Sequence, residues 1–274
     1  MKRIAYLGPQ GTYAEEATFT LFPEDFVSLP HPSIQGTLRA LAKGEADFAV
    51  VPIENSIEGT VSATLDSLWV LPQLQVFKAL VLPIRHCLIT QEPSIETIRT
   101  VFSHPQALAQ CQGWLEEHLG AIPCVPTAST VEALQKISSG VAVVASTRAA
   151  ELYNLPILHA GINDAPDNCT RFWLVGPPGQ SLAQPTRTSI GFSLHNNRAG
   201  ALHDALTHFA IRNINLAKLE SRPTKKVIGE YLFFADLEGD ADQNPLKEAL
   251  EELWASVEKL KILGTYPILA LPQA

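Results

Sequence analysis

The fold of this chain is indicated by residues 3–16, which read RIAYLGPQGTYAEE. Residues 3–7 form a mostly apolar run with the length of a buried strand, and the run ends at a glycine turn. Thr12 and Glu15 have the spacing of a capping box, so we expect a helix to start directly after the turn. A strand, a tight turn and a helix in this order predict the first part of a βαβ unit.

The same alternation of β-branched runs and helical stretches continues to about residue 176. We expect strands at residues 3–7, 47–51, 76–83, 100–102, 121–125, 141–145 and 171–175. Amphipathic helices are expected between them, for example at residues 105–119 and 131–137. This pattern is typical of an α/β domain built on parallel strands.

A second, smaller module is expected after residues 176–185, whose sequence GPPGQSLAQP has the Pro and Gly content of a linker. The pattern then changes to strands at residues 188–194, 215–220, 230–236 and 262–266, with helices at residues 200–209 and 245–260. This βαββαβ order predicts a ferredoxin-like sandwich. We therefore expect one domain at residues 1–180 and another at residues 187–274.

Composition excludes several classes of function. The chain has 46% hydrophobic and 18% charged residues, and no apolar run approaches the roughly 20 residues of a membrane span. No secretory leader is recognisable, so a cytoplasmic protein is expected. The net charge of −8 without a basic stripe argues against nucleic acid. Four scattered cysteines without a CxxC pair, and no HExxH spacing, argue against a metal site.

Hydroxyl residues at the ends of predicted strands indicate a site for a small anion. Thr12, Ser103, Ser129 and Ser146 each follow or end a predicted strand and can cap the next helix. In an open α/β sheet these strand ends meet at one edge, where helix N-termini favour negative charge. The glycine turn GPQGT matches neither a P-loop nor GxGxxG, so a nucleotide is not expected. Simple capping remains an alternative for each residue.

Two further loops carry more polar groups than a connection requires. Residues 52–60, PIENSIEGT, place carboxylates, an amide and hydroxyls on one turn. In residues 164–172, DAPDNCTRF, Arg171 could hold a carboxylate in two hydrogen bonds and Thr170 could donate one to a leaving oxygen. Both segments could also be solvated loops.

These segments together resemble prephenate dehydratase. The resemblance rests on GPQGTYAEEA (8–17), VPIENSIEGTV (51–61), SHPQALAQC (103–111) and NCTRF (168–172). The second module is similar to the ACT domain often attached to that enzyme, through GALHDAL (200–206), INLAKLESRP (214–223) and GEYLFFAD (229–236). Each motif is weak alone, but the set covers nearly the whole chain in order.

The resemblance implies an enzyme that converts prephenate to phenylpyruvate with loss of CO₂ and water, without cofactor or metal. It implies a two-lobed, type II periplasmic-binding-protein-like domain, with one lobe at about residues 1–76 and 158–180 and the other at about 77–157. The implied catalytic residues are Thr170, Arg171 and Phe172. The implied substrate-binding residues are Gly11, Thr12, Asn55, Ser56, Ser103, His104 and Gln106.

The resemblance also implies regulation by L-phenylalanine, bound between ACT domains of a homodimer or homotetramer. The residues implied in this allosteric site are Gly200, Ala201, Leu202, Asn215, Glu220, Ser221 and Arg222. No segment for a second enzyme is recognisable, so a monofunctional enzyme is expected.

Three questions stay open at this point. An arogenate or cyclohexadienyl dehydratase is an alternative, and so is a non-catalytic protein that binds a carboxylate in the cleft. A threonine hydroxyl is a very weak acid, so the proton must come from elsewhere. Glu54, Glu58, His104 and water are the candidates, and the remaining histidines are expected to serve packing or the surface.

Overall fold

The computed structural model describes residues 1–179, 185–195, 198–225, 227 and 229–271, so part of the expected linker, residues 180–184, lies outside the described residues. Up to residue 176 the strands are β1 (Lys2–Leu7), β2 (Phe26–His31), β3 (Phe48–Asn55), β4 (Gly59–Thr60), β5 (Gln75–Pro83), β6 (His86–Thr90), β7 (Thr100–Ser103), β8 (Cys124–Pro126), β9 (Val141–Ser146), β10 (Ile157–Ala160) and β11 (Cys169–Gly176). The helices are α1 (Tyr13–Leu21), α2 (Ile34–Ala42), α3 (Ser62–Val70), α4 (Pro105–Ala109), α5 (Gln112–Leu119), α6 (Thr130–Leu134) and α7 (Thr147–Leu152), with a 3₁₀ turn at Ile95–Thr97.

From residue 187 the elements are β12 (Arg187–Ser193), α8 (Ala201–Ala210), β13 (Leu216–Pro223), β14 (Tyr231–Glu238), α9 (Leu246–Ser256), β15 (Lys259–Tyr266) and β16 (Ile268–Ala270). The strands β12 to β15 form an antiparallel sheet in the order β13-β14-β12-β15. Ile190, Phe192 and Phe209 belong to the apolar core between this sheet and its helices. The predicted ferredoxin-like βαββαβ arrangement is therefore confirmed.

Two further sheets define two lobes of the first domain. The first lobe contains the sheet β16-β5-β11-β3-β1-β2, with β4 paired to β3, and the second contains β10-β6-β9-β7-β8. The α/β prediction is confirmed, but β11 runs antiparallel to both of its neighbours, β3 and β5, and β6 runs antiparallel to β10 and β9, so both sheets are mixed rather than purely parallel.

The predicted lobe boundaries near residues 77 and 158 are too early. β5 pairs with β11 along its length, so the chain leaves the first lobe only after Pro83. β10 pairs with β6, so the chain returns only after Ala160. Backbone hydrogen bonds to these partners hold both segments in the opposite lobe from the one predicted.

Most predicted helix starts are confirmed, with one change. The hydroxyls of Thr12, Ser129 and Ser146 each accept a hydrogen bond from a backbone N–H in the first turn of α1, α6 and α7. Ser103 does not cap α4, because it is still part of β7 and donates its hydroxyl to the Val144 carbonyl. His104 is the cap, and the helix predicted at residues 105–119 is split into α4 and α5.

The second domain packs against the first lobe. β16 pairs in parallel with β5, and the rings of Trp69 and Phe234 meet edge to face at 6.1 Å. Leu232, Phe234 and Tyr266 from the second domain belong to the same apolar core as Trp173 of the first lobe. Because the two domains share a core, movement of one is resisted by packing on the other. In the part of the chain described, none of the helices combines the length and apolarity that crossing a bilayer requires.

Candidate active site

A cavity of about 330 Å³ lies between the two lobes. Six of the residues expected to bind substrate or act on it line this cavity, namely Thr12, Asn55, His104, Gln106, Thr170 and Phe172. The first lobe presents the ends of β1, β3 and β11 to it, and the second lobe presents the start of α4. Of the four capping residues predicted to meet at one sheet edge, Thr12 and Ser129 line the cavity, but they follow strands of two different sheets, β1 and β8.

Thr170 and Asn55 are cross-strand neighbours on β11 and β3 and face the cavity together. Asn55 accepts two hydrogen bonds on Oδ1, from the backbone N–H groups of Ile57 and Glu58. Its Nδ2 must therefore be the atom that points to Thr170, and it donates to Oγ1 at 3.0 Å. Because Oγ1 accepts this bond, the hydroxyl hydrogen of Thr170 remains available for a ligand in the cavity.

A line of buried amides continues from Asn55 into the second lobe. Asn55 donates to Asn168 Oδ1 at 2.8 Å, and Asn168 Nδ2 donates to Gln110 Oε1 at 3.0 Å. The same Gln110 oxygen lies 3.0 Å from His86 Nε2, and His86 Nδ1 lies 3.1 Å from the Tyr13 hydroxyl. The network thus joins the two lobes beneath the cavity and holds Thr170 and His86 in one hydrogen-bonded unit.

Sequence reasoning missed His86, Gln110 and Tyr13, all of which line the cavity. Tyr13 lies within the motif GPQGTYAEEA and Gln110 within SHPQALAQC, so the sequence does carry a signal for these two residues. His86 follows a plain apolar strand and carries no local signal. Its side chain is 97% buried, and this burial lowers the pKa of its imidazole, although the bond to Gln110 opposes the shift.

The cavity is electrically unusual for a site expected to hold an anion. Among the described residues its lining includes histidine but no Lys, Arg, Asp or Glu. The caps of α1, α4 and α6 all lie in the lining, so the positive ends of three helices reach the cavity. An anion in the cavity would be attracted by these dipoles.

Arg171 does not line the cavity, contrary to the expectation that it binds a substrate carboxylate. Successive side chains of β11 point to opposite faces of the sheet, so Arg171 points away from the face that carries Thr170. Its guanidinium pairs with Glu54 on β3 and, at 2.9 Å, with Asp236 on β14 of the second domain. Burial opposes the charge of Arg171, but the Asp236 and Glu54 carboxylates raise its pKa overall.

Glu54 is turned to the same side as Arg171 and is also bound by Lys218, at 3.0 Å. Burial favours the neutral carboxyl, but Arg171 and Lys218 outweigh it, so the pKa of Glu54 is lowered. Glu58 is exposed on the loop after β3. Neither carboxyl lines the cavity, which leaves His104 and water from the original candidates for the proton source.

Three more of the expected substrate-binding residues have structural contacts instead of a place in the lining. Gly11 donates its N–H to the Glu15 carboxylate at 2.8 Å and accepts from the Ser146 hydroxyl at 2.9 Å. Ser56 receives the Cys169 N–H at 3.0 Å, and Ser103 is fully buried. These contacts hold the loops and lobes around the cavity, so we expect their effect on a ligand to be indirect.

The residues expected in the allosteric site are divided between two faces of the second domain. On β13 the side chains of Glu220 and Arg222 face the first domain, where Glu220 receives the Thr60 hydroxyl at 3.0 Å and Arg222 pairs with Asp66 at 3.3 Å. Ser221 is exposed between them. Strand alternation therefore prevents these three side chains from meeting one ligand on a single face.

The other expected allosteric residues lie at both ends of α8. Gly200 precedes the helix with φ +83°, a conformation that favours glycine, and Ala201 and Leu202 form its first turn. Asn215 lies in the connection to β13, and its carbonyl accepts the Glu238 N–H at 3.0 Å.

Comparisons with known proteins agree with this geometry. The family model for prephenate dehydratase matches residues 4–180, and the model for the ACT domain matches residues 188–255. A prephenate dehydratase of Mycobacterium sp. (strain JLS) is 40% identical over 282 residues, covering 97% of this chain and 89% of that protein.

Two solved structures are similar over nearly the whole chain. The prephenate dehydratase of Arthrobacter aurescens in complex with L-Phe has a TM-score of 0.88 and 33% identity, covering 97% of this chain and 90% of that one. GqqA, described as a novel type of quorum quenching acylase, has a TM-score of 0.86 and 32% identity, covering 99% and 98%. The first domain has the two-lobed, type II periplasmic-binding-protein-like fold, as predicted, and the second is an ACT domain. This chain belongs to the prephenate dehydratase family.

Proposed function

We propose that prephenate binds in the cavity between the lobes and leaves as phenylpyruvate, CO₂ and water, a carbon–oxygen lyase reaction. The observation that carries this assignment is the pair of Asn55 and Thr170. Asn55 donates to Thr170 Oγ1, so the threonine hydroxyl is oriented to donate to a second oxygen in the cavity. In prephenate that oxygen is the ring hydroxyl that departs.

The uncharged lining supports the loss of CO₂. Prephenate carries two carboxylates, and a cavity without fixed cations binds them only through dipoles and hydrogen bonds. Removing water from the ring carboxylate disfavours its localised charge relative to a transition state in which that charge spreads into the ring. Helix N-termini at the cavity provide enough attraction to bind the substrate without neutralising it.

The decisive experiment compares Thr170→Val with Thr170→Ser. Valine keeps the shape of threonine but removes the hydroxyl, whereas serine keeps the hydroxyl. We expect kcat for prephenate to fall by about 100-fold or more in the valine variant, the lower end of the range for loss of one positioned hydrogen-bond donor, and to fall much less in the serine variant. Near-normal turnover by Thr170→Val would remove Thr170 from the reaction.

Arogenate remains the alternative substrate, since it differs from prephenate only in an amino group in place of the keto group. The uncharged lining offers no carboxylate to pair with that ammonium group, which favours prephenate. Incubating the protein with each compound separates the two, because prephenate gives phenylpyruvate and arogenate gives phenylalanine. Binding without product from either would instead indicate a non-catalytic binding protein.

We also propose that L-phenylalanine regulates the enzyme through the ACT domain, as a feedback inhibitor bound where ACT domains of a homodimer or homotetramer meet. The L-Phe complex of the Arthrobacter aurescens protein supports this assignment. The start of α8 with Gly200 and the exposed Ser221 are the parts of the expected site that stay free of the first domain. Titrating phenylalanine while recording activity and molecular mass tests both statements, and an unchanged rate and mass would refute them.

A further inference from the structure

The proposed reaction consumes one proton, because a dianion becomes a monoanion plus neutral CO₂ and water. We propose that His86 takes up this proton on Nδ1 and passes it through the Tyr13 hydroxyl to the departing hydroxyl of the substrate. This inference rests on the proposed function and names the source of the proton within the same site. Both side chains line the cavity.

The tautomer of His86 follows from the amide network. Two backbone N–H groups fix Asn55 Oδ1 as an acceptor, so Asn55 Nδ2 donates to Asn168 Oδ1. Asn168 must then use its Nδ2 to donate to Gln110 Oε1. That oxygen can only accept, so the bond of 3.0 Å from His86 Nε2 requires a hydrogen on Nε2. Nδ1 is therefore the nitrogen that gains and loses a proton.

The surroundings of Nδ1 satisfy both protonation states. The Tyr13 hydroxyl lies 3.1 Å from His86 Nδ1 and 2.9 Å from the carbonyl oxygen of Arg85. When His86 is neutral, Tyr13 can donate to Nδ1. When His86 is protonated, Nδ1–H donates to the Tyr13 oxygen, and the phenol turns its own hydrogen to the Arg85 carbonyl. Neither state leaves a buried donor unpaired, so neither state adds the cost of an unmade hydrogen bond to the cost of burying the charge.

The groups around His86 leave its charge to be set by the ligand. The titratable groups near His86 and its partner Tyr13 are the Glu16 carboxyl on α1, the thiols of Cys87 and Cys111, and His104 in the same cavity lining, with the Arg85 side chain adjacent in the chain. Burial lowers the pKa of His86, so without ligand the imidazole is neutral near pH 7. A bound dianion raises the pKa of a neighbouring imidazole, so substrate binding would draw the proton in.

The transfer balances without another reactant. The bond between the ring and its carboxylate breaks, its electron pair enters the ring, and the carbon–oxygen bond to the hydroxyl breaks. With substrate bound, the Tyr13 hydrogen must turn from the Arg85 carbonyl to the departing oxygen. The departing oxygen then takes that hydrogen while the Tyr13 oxygen takes the Nδ1 hydrogen. Tyrosinate never forms, which matters because burial raises the pKa of Tyr13 well above its usual range. Water and neutral His86 remain, and solvent reprotonates the site in the next cycle.

The test compares the wild-type chain with His86→Gln, Tyr13→Phe and the control His118→Gln. Glutamine at position 86 can keep the bond to Gln110 but has no basic nitrogen. His118 lies exposed on α5, outside the cavity lining, with its Nδ1 2.9 Å from the Trp114 carbonyl oxygen. We would measure kcat and KM for prephenate from pH 5.5 to 8.5, subtract the reaction without enzyme, and check folding by circular dichroism.

We expect kcat to fall by about 100-fold or more in His86→Gln and Tyr13→Phe, with KM changed much less, and by less than about twofold in His118→Gln. The wild-type kcat should decline at high pH as His86 loses its proton in the complex, and this decline should be absent in His86→Gln. Tyr13→Phe keeps the test valid if His86→Gln fails to fold. If the wild-type protein is active but His86→Gln and Tyr13→Phe keep its kcat or its pH profile, this inference is overturned and the proposed function stands. Inactive wild-type protein overturns the proposed function as well.

Discussion

Replacing Asp236 with alanine should destabilise the protein far more than replacing Asp66, although both carboxylates join the two domains. The Asp236 side chain is 7% exposed and accepts from Arg171 at 2.9 Å and from the Ser189 hydroxyl at 2.5 Å. Removing one partner of a buried ion pair costs roughly 3–5 kcal/mol when the remaining charge is left unpaired. Arg171 would still have Glu54, so we expect a loss of about 2–4 kcal/mol.

Asp66 provides the matched control. It pairs with Arg222 at 3.3 Å and with the largely exposed Lys225 at 2.5 Å, and its own side chain is 20% exposed. Water can replace the carboxylate at such a position, and exposed pairs contribute at most about 1 kcal/mol. Asp66→Ala should therefore cost about 1 kcal/mol or less.

Urea unfolding followed by tryptophan fluorescence measures both values. Trp69 and Trp173 are part of the core shared by the two domains, so their emission reports on its loss. The difference between the variants, about 1–4 kcal/mol, is large enough to resolve. Equal losses, or a larger loss in Asp66→Ala, would refute the argument that the burial of Arg171 determines the strength of the contact.

Three further outcomes follow from the structure. Asn55→Asp replaces the amide donor with an acceptor, so the Thr170 hydroxyl would donate to it, and kcat for prephenate should fall by about 100-fold. The midpoint of thermal unfolding should fall as well, because the buried Asn55 amide also donates to Asn168 Oδ1 and a carboxylate would face that oxygen without a hydrogen. Gly264→Ala would place Cβ against the Val76 backbone at the domain contact, and a fall in the urea midpoint equivalent to about 1–3 kcal/mol is expected. Folding lowers the pKa of His86, so the folded state favours the neutral imidazole. The contribution of His86 to the free energy of unfolding is therefore complete above about pH 6.5, its unfolded pKa, and is lost as the pH falls through its pKa in the folded protein. The difference in unfolding free energy between wild type and His86→Gln, measured at pH 7.5 and 5.5, should change accordingly, and no change would contradict the shift.

Local sequence signals predicted the parts of the fold that depend on local physics. Thr12 and Ser129 cap their helices because a hydroxyl beside free backbone N–H groups satisfies them wherever the chain goes next. The lobe boundaries could not be obtained in this way. β5 and β10 have ordinary strand sequences, and their lobe is decided by long-range pairing with β11 and β6.

In the candidate active site, the sequence predicted only residues that lie within a recognised motif. Thr170 and Asn55 stand in quoted motifs and face the cavity, whereas His86 enters through tertiary contacts with Gln110 and Tyr13, which lie far from it in the chain. Periodicity cannot reveal a contact between a histidine on one strand and residues of two helical regions. Such residues become visible only when the lobes are assembled.

Arg171, which was expected in the cavity, shows that the candidate site and the contact between the domains depend on the same two strands. On β11, Thr170 faces the cavity and Arg171 faces the second domain, while on β3 their cross-strand partners Asn55 and Glu54 do the same. The prediction started the strand at residue 171, which left Thr170 outside it and hid the alternation of the two side chains. One register therefore sets both pairs, since sliding either strand by one residue would exchange the faces. A substitution at Arg171 that lowers activity would thus report on the contact with Asp236 before it reported on chemistry in the cavity.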